Sequence, residues 1–448
     1  MDIIDTPTGG LTRPAEPATD AALPPTGTLR FATAGSVDDG KSTLVGRLLH
    51  DSKSVLADQL AAVEAVSRQR GRQAPDLALL TDGLRAEREQ GITIDVAHRY
   101  FATPRRRFIL ADTPGHVQYT RNMVTGASTA DLALVLVDAR HGVVEQTRRH
   151  LAVAALLCTP QVTLVVNKMD LVGHSEQVFA DIAAGFARCA RSLGVRGVTA
   201  IPVSALDGDN VVRPSDTMGW YAGPTVLEHL ETVPSGVDPR TQATRLPVQY
   251  VIRPQSGVHR DYRGYAGQLT SGVLRVGDRV TALPAGLNST ITAIDTPAGP
   301  AGEARAPQSV TVRLADDIDV SRGDLLAPVA GAPRLTRRLT ATVCHLTERP
   351  LRPGQRVLLR HTSRTVRAVV ESIDSRLDLR DLAEKPGATT LEVNDIGRIT
   401  VRTAEPLALD GYTELRRTGA FLLIDPEAGD TLTAGMADAP EPEHAEGA

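Results

Sequence analysis

The chain has 448 residues, 42% hydrophobic and 23% charged, which is enough for two or three domains with substantial cores and excludes disorder along the whole length. Its formal net charge of -4 gives no signature of a general nucleic-acid binder, although a local basic face could survive inside that total. Only 3% of residues are aromatic, so the cores are expected to be built from Val, Leu, Ile and Ala. Cys158, Cys189 and Cys344 are too irregularly spaced for a disulfide framework or a zinc site. No apolar run reaches the ~18 residues of a membrane span, and a reducing cytoplasm is the expected compartment.

Residues 1–27 are rich in Pro, Thr, Ala and Gly without apolar periodicity and read as a disordered tail. Over 28–240, short apolar runs alternate with amphipathic stretches. The runs are Leu29 to Ala34, Phe108 to Ala111, Leu132 to Val137, Val162 to Val166 and Val198 to Val203. That alternation predicts an α/β domain with a mostly parallel sheet. From 245 to 332 the texture changes to short β-rich segments between Gly, Pro and Asp, and a second such set occupies 334–430. Two small β-barrels are expected. Residues 431–448 read as an acidic disordered tail.

The segment Gly35-Ser36-Val37-Asp38-Asp39-Gly40-Lys41-Ser42 fits the phosphate-binding loop, placed between a predicted strand and the helical stretch from Thr43 to Leu49. Its glycines let successive N–H groups turn toward phosphate oxygens at the positive end of a helix dipole. Lys41 would reach the β- and γ-phosphates and Ser42 would ligate Mg²⁺. Asp112-Thr113-Pro114-Gly115-His116 follows an apolar strand, where Asp112 can hold the Mg²⁺ shell and the Gly115 N–H can meet the γ-phosphate. Alone, that segment is also an ordinary turn. In Asn167-Lys168-Met169-Asp170, the Asp170 carboxylate matches the two donors on the guanine edge, which adenine lacks. Asn167 braces that loop, and the Lys168 stem can lie along the base. Ser204-Ala205-Leu206 would offer backbone N–H groups to guanine O6. Between these motifs, the stretch from Glu87 to Asp95 lies where a mobile switch would sit, with Thr93 meeting the γ-phosphate and Mg²⁺. The bland alternative is a charged helix end running into a strand. Only four of the 49 basic residues are lysines, and Lys41 and Lys168 occupy two sites where a slim stem suits better than a guanidinium.

In this order the motifs resemble the translation-factor-like GTPases, and within them the large, GTP-hydrolysing subunits of bacterial sulfate adenylyltransferase. Ser36 and Asp39 stand where elongation factors usually carry histidines, as in the sulfate-activating branch. Arg47-Leu48-Leu49-His50-Asp51-Ser52 and Tyr119 to Ser128 look like that branch too. Val117 departs from it, replacing the usual Glu. The resemblance implies an elongation-factor-like architecture, a P-loop GTPase domain followed by two barrels, with GTP and Mg²⁺ as cofactors. It implies catalytic roles for His116, expected to orient the attacking water, and for Lys41 and Thr93, with Ser42, Thr93 and Asp112 on the metal. It also implies a small partner subunit that makes adenosine 5′-phosphosulfate and pyrophosphate from ATP and sulfate, coupled to GTP hydrolysis. Lys41 is the only lysine preceded by Gly, so no second phosphate loop, and no fused kinase, is expected. The alternative is a translation factor delivering aminoacyl-tRNA, disfavoured by Ser36, Asp39 and the scarcity of lysine. A third reading, a guanine-nucleotide binding module without turnover, is disfavoured by His116.

Overall fold

A computed structural model describes residues 27–53, 57–69, 75–80, 96–113, 120–254 and 261–440. The first domain is built on β1 (Thr28–Ala34), β2 (Ala97–Ala102), β3 (Arg107–Asp112), β4 (Leu132–Asp138), β5 (Gln161–Asn167) and β6 (Thr199–Pro202), in the spatial order β2-β3-β1-β4-β5-β6. The pairs among β3, β1, β4, β5 and β6 are parallel. The edge strand β2 runs antiparallel to β3. Its exposed positions alternate with partly and fully buried ones, and Tyr100 is largely exposed, so it lacks the continuous apolar run that marks the other five.

Helices cover both faces: α1 (Lys41–Asp51), α2 (Ala57–Gln69), α3 (Thr120–Ala127), α4 (Glu145–Leu156), α5 (Glu176–Ser192) and α6 (Val226–Thr232). Every residue of β4 is buried, as a central parallel strand requires. Its alternate side chains divide between two cores. Leu132, Leu134 and Leu136 join Leu44 and Leu48 of α1 and Leu230 of α6. Ala133, Val135 and Val137 join Met123 of α3, Leu151 of α4 and Phe186 of α5. The carboxyl ends of β1, β3, β4 and β5 therefore open side by side at one edge.

The second domain is a barrel of short antiparallel strands. Across it run, in order, Leu246–Pro247, Leu325–Pro328, Arg279–Leu283, Leu287–Thr296, Ser309–Leu314, Gly264–Gln268 and Tyr250–Ile252. The third domain is the second barrel, and it closes where Arg356–His361 pairs with Arg364–Asp378. Here the structure corrects the sequence reading of 431–448 as a tail. Thr431–Ala437 is a strand paired on both sides, with Arg334–His345 and with Ala420–Ile424, and Leu432 is buried in the barrel core. The segment is small-residue-rich and sits beside acidic sequence, which hid it, but without it the barrel would carry two open edges. Residues 441–448, like 1–26, lie outside the described residues.

The domains are locked by long-range contacts. The core on the α4 side of the sheet continues into Cys344, Ile396, Tyr412 and Met436 of the third domain. Tyr412 Oη donates to the Leu157 carbonyl at 3.1 Å. Between the two barrels, Arg245 grips Asp410 in a two-pronged pair at 2.9 and 2.8 Å, with both side chains less than a tenth exposed. Among the described residues no helix is long and apolar enough to cross a membrane.

Candidate functional site

Residues 35–40 reverse the chain between β1 and α1 above the open sheet edge. Gly40 has φ +88, and a Cβ there would collide with the Asn167 side-chain amide, so the position requires glycine twice over. Asp38 also takes a left-handed conformation, φ +67, and Val37 is exposed beside it. Ser36 N–H donates to Asp39 Oδ2 at 2.5 Å, a bond that shapes the loop; burial nevertheless pushes the Asp39 carboxyl up. Lys41 opens α1 and is almost fully buried. Its ammonium donates to the Gly35 and Ser36 carbonyls, both at 2.8 Å.

Burial pulls the Lys41 pKa down, and Asp112, Asp39 and Asp38 act against that pull. Among the described residues Ser36 Oγ is buried without a hydrogen-bond partner. An enclosed ammonium, an unpartnered hydroxyl and the N-terminus of an 11-residue helix together fit a phosphate chain. Ser42 and Thr43 lie in that helix's first turn. Asp112 ends β3, and its Oδ1 accepts from Thr33 Oγ1 at 2.8 Å, which orients it. A serine hydroxyl and a carboxylate are the hard oxygen donors Mg²⁺ takes, and phosphate oxygens would complete the shell. Thr113 turns inward, its hydroxyl donating to the Thr33 carbonyl at 2.5 Å, so its side chain serves the strand junction. Pro114, Gly115, His116, Val117 and the stretch from Glu87 to Asp95 with Thr93 lie outside the described residues.

The second half of the site hangs on Asn167 at the end of β5. Its Nδ2 donates to the Asp39 carbonyl at 2.8 Å, and its Oδ1 accepts from Ala205 N–H at 3.0 Å. One buried amide thus ties the phosphate loop to the loop after β6, bringing three motifs that are distant in sequence to one cleft. Lys168 follows with φ +64, and a short 3₁₀ turn, Met169–Val172, carries Asp170. Met169 is fully buried in the core and donates its N–H to the Val203 carbonyl at 3.2 Å, so its side chain packs and does not face the cleft.

The expectation for Ser204-Ala205-Leu206 is narrowed. Ser204 N–H donates to the Asp209 carbonyl at 3.3 Å, and Ala205 N–H is taken by Asn167. Leu206 N–H is the one of the three without a protein acceptor among the described residues. Arg47 of α1 holds the loop from the other side, reaching the carbonyl of Ala205 at 3.3 Å and that of Leu206. Pinning those carbonyls outward turns the peptide N–H groups the opposite way. Sequence reading found Arg47 only as part of a family-like stretch, because its partners lie some 158 positions away. Thr33, which orients Asp112, carried no signal at all.

Residues 27–242 match the elongation factor Tu GTP binding domain, and residues 338–438 match the GTP-eEF1A C-terminal domain-like family. The chain is 57% identical over 409 residues to a Mycobacterium tuberculosis protein named bifunctional enzyme CysN/CysC, covering 91% of this chain and 67% of that one. It is 50% identical over 410 residues to sulfate adenylyltransferase subunit 1 of Aeromonas salmonicida, covering 91% and 86%. A Cellvibrio japonicus protein of the same name is 48% identical over 410 residues, again covering 91% and 86%. On these matches over nine-tenths of its length, the chain belongs to the sulfate adenylyltransferase subunit 1 family of translation-factor-like GTPases.

Proposed function

We propose that the chain is the GTP-hydrolysing subunit of a heteromeric sulfate adenylyltransferase. In this role it couples GTP hydrolysis to the formation of adenosine 5′-phosphosulfate and pyrophosphate from ATP and sulfate by a small catalytic partner. The observation that carries the nucleotide half of the reading is the Asn167 bridge between phosphate loop and base loop; the relatives' names carry the sulfate half.

Lys41 and the loop's N–H groups hold the β- and γ-phosphates, and Asp170 reads the guanine edge. Ser42, Asp112 and Thr93 would hold Mg²⁺, which would supply positive charge against that developing on the transferred phosphoryl group. His116 orients the attacking water. A route from the γ-phosphate to the partner is supported by Arg416 of the third domain, which donates to the Ser128 carbonyl at 2.9 Å and the Ala130 carbonyl at 3.2 Å. Those carbonyls follow α3, the helix that leads directly out of the His116 segment, so movement there would be felt by the barrel.

Asp170→Asn is expected to weaken GTP and to favour xanthosine triphosphate, whose 2-oxo group accepts from an amide. Competition binding with the two nucleotides reads this directly, and an unchanged preference contradicts the assignment. For the partner, purification of the chain from native cells with mass measurement of what accompanies it should return a small subunit. Recovery of aminoacyl-tRNA on the GTP-bound chain would contradict the proposal.

A further inference from the structure

A buried carboxylate that belongs to none of these motifs stands beside Asn167, at the carboxyl end of β4. Asp138 ends β4 directly beside Asn167 in the β4–β5 register, and its side chain is 1% exposed. One oxygen, Oδ2, lies 2.9 Å from Lys168 Nζ and 2.7 Å from Arg140 Nη2. The other accepts from Arg140 Nε at 3.1 Å and from the Arg140 backbone N–H at 2.9 Å. Burial pushes this carboxyl up, but the Arg140 hydrogen bonds and Lys168 outweigh it and hold Asp138 well below the usual carboxylate range. A buried anion is thus matched by two cations, an arrangement in which removing one member leaves the others uncompensated.

Both cations point the anion's influence at the nucleotide. Lys168 sits at φ +64, a conformation costly for a residue with a Cβ, and Asp138 is the group that fixes where its ammonium ends. Arg140 is half-exposed and stands in the field of Asp170 of the base loop and Asp38 of the phosphate loop. Its guanidinium therefore answers to carboxylates of both loops as well as to Asp138.

We propose that Asp138 is a positioning residue for guanine-nucleotide retention: it fixes the Lys168 stem along the base and holds Arg140 as a cation across the ribose and phosphate side of the cleft. The inference rests on the reading that a guanine nucleotide occupies this cleft. Asp138 touches no nucleotide atom itself and acts through the two cations, so its removal should speed release without changing which base is chosen.

The test is the dissociation rate of tritiated GDP, chased with unlabelled GDP, from the full chain and from Asp138→Asn, Arg140→Gln and the double variant. Asp138→Asn should release GDP about tenfold faster, the equivalent of one lost charge-assisted contact, and Arg140→Gln several-fold faster. The double variant should be no faster than Asp138→Asn alone, because both act through one network. The preference for GTP over xanthosine triphosphate should stay as in the unmodified chain, a readout that general loosening of the pocket would move. Wild-type release rates in both single variants would overturn the inference, as would a changed base preference. Should Asp138→Asn not fold, the exposed Arg140→Gln decides alone. If the unmodified chain bound no GDP, the nucleotide-site reading itself would fall, and this inference with it.

Discussion

Lys41→Ala should abolish GTP binding in any practical range, while His116→Ala should keep binding and lose turnover. The buried Lys41 ammonium is fixed 2.8 Å from two loop carbonyls, and a phosphate chain would take it over as its nearest fixed charge. Two charge-assisted contacts at roughly 1.5–3 kcal/mol each correspond to about 10²–10⁴-fold in affinity. His116 has a different task in the proposed mechanism, placing a water that exists as a nucleophile only in the transition state. Its loss should lower kcat by about 10²–10⁴-fold and leave GTP affinity within a few-fold. Equilibrium binding and single-turnover hydrolysis of both variants separate the two roles. Equal loss of binding in both would contradict the division. Because Lys41 also ties down the Gly35 and Ser36 carbonyls, thermal melting of the Lys41→Ala protein is the necessary control for a collapsed loop.

The second large effect should come from a residue far from the nucleotide. Arg245 and Asp410 face each other between the barrels, both buried, and Asp410 also accepts from Thr418 Oγ1 at 2.7 Å. Cutting either side chain leaves its partner charged and out of water, which costs about 3–5 kcal/mol. Arg245→Ala and Asp410→Ala should each lower the unfolding midpoint of the barrel pair markedly. Replacing both by apolar residues of similar size, Arg245→Met with Asp410→Leu, should recover much of the loss, since no orphan charge then remains. Calorimetry on the three variants tests this, and it should be analysed as a multidomain unfolding. Single variants that melt like the unmodified chain would show that the pair is solvated and contributes little.

Features set by short local patterns could be read from the sequence. The glycines of the phosphate loop, the apolar run of β4 and the Asn167 to Asp170 segment announce themselves within a few residues; the phosphate loop follows β1, and Asn167 closes β5. What depends on distant partners could not. The direction of the Ala205 N–H is decided by Asn167, 38 positions earlier, so the donors available to guanine O6 were overcounted. Asp138 looks like the polar end of an apolar strand until Lys168 and Arg140 are seen around it. The third domain's strands run longer than their apolar alternation suggests, because irregularities between Thr336 and Arg338, between Val370 and Ser372 and between Ile373 and Ser375 interrupt the period of two. The segment from Thr431 to Ala437 owes its order to two neighbouring strands and not to its own composition.

In the proposed coupling, a nucleotide switch in this chain drives chemistry in another. A switch acts on a partner only through contacts that differ between its two states, so hydrolysis and adenylyl transfer should rise together and only in the complex. The decisive measurement is phosphate release from GTP and pyrophosphate release from ATP, followed for the chain alone, the small subunit alone and the mixture, each with and without sulfate. Slow GTP hydrolysis and no adenosine phosphosulfate are expected from the chain alone, and GTP turnover in the mixture should accelerate when ATP and sulfate are supplied. Formation of adenosine phosphosulfate by the chain alone, or GTP turnover indifferent to the small subunit and its substrates, would contradict it.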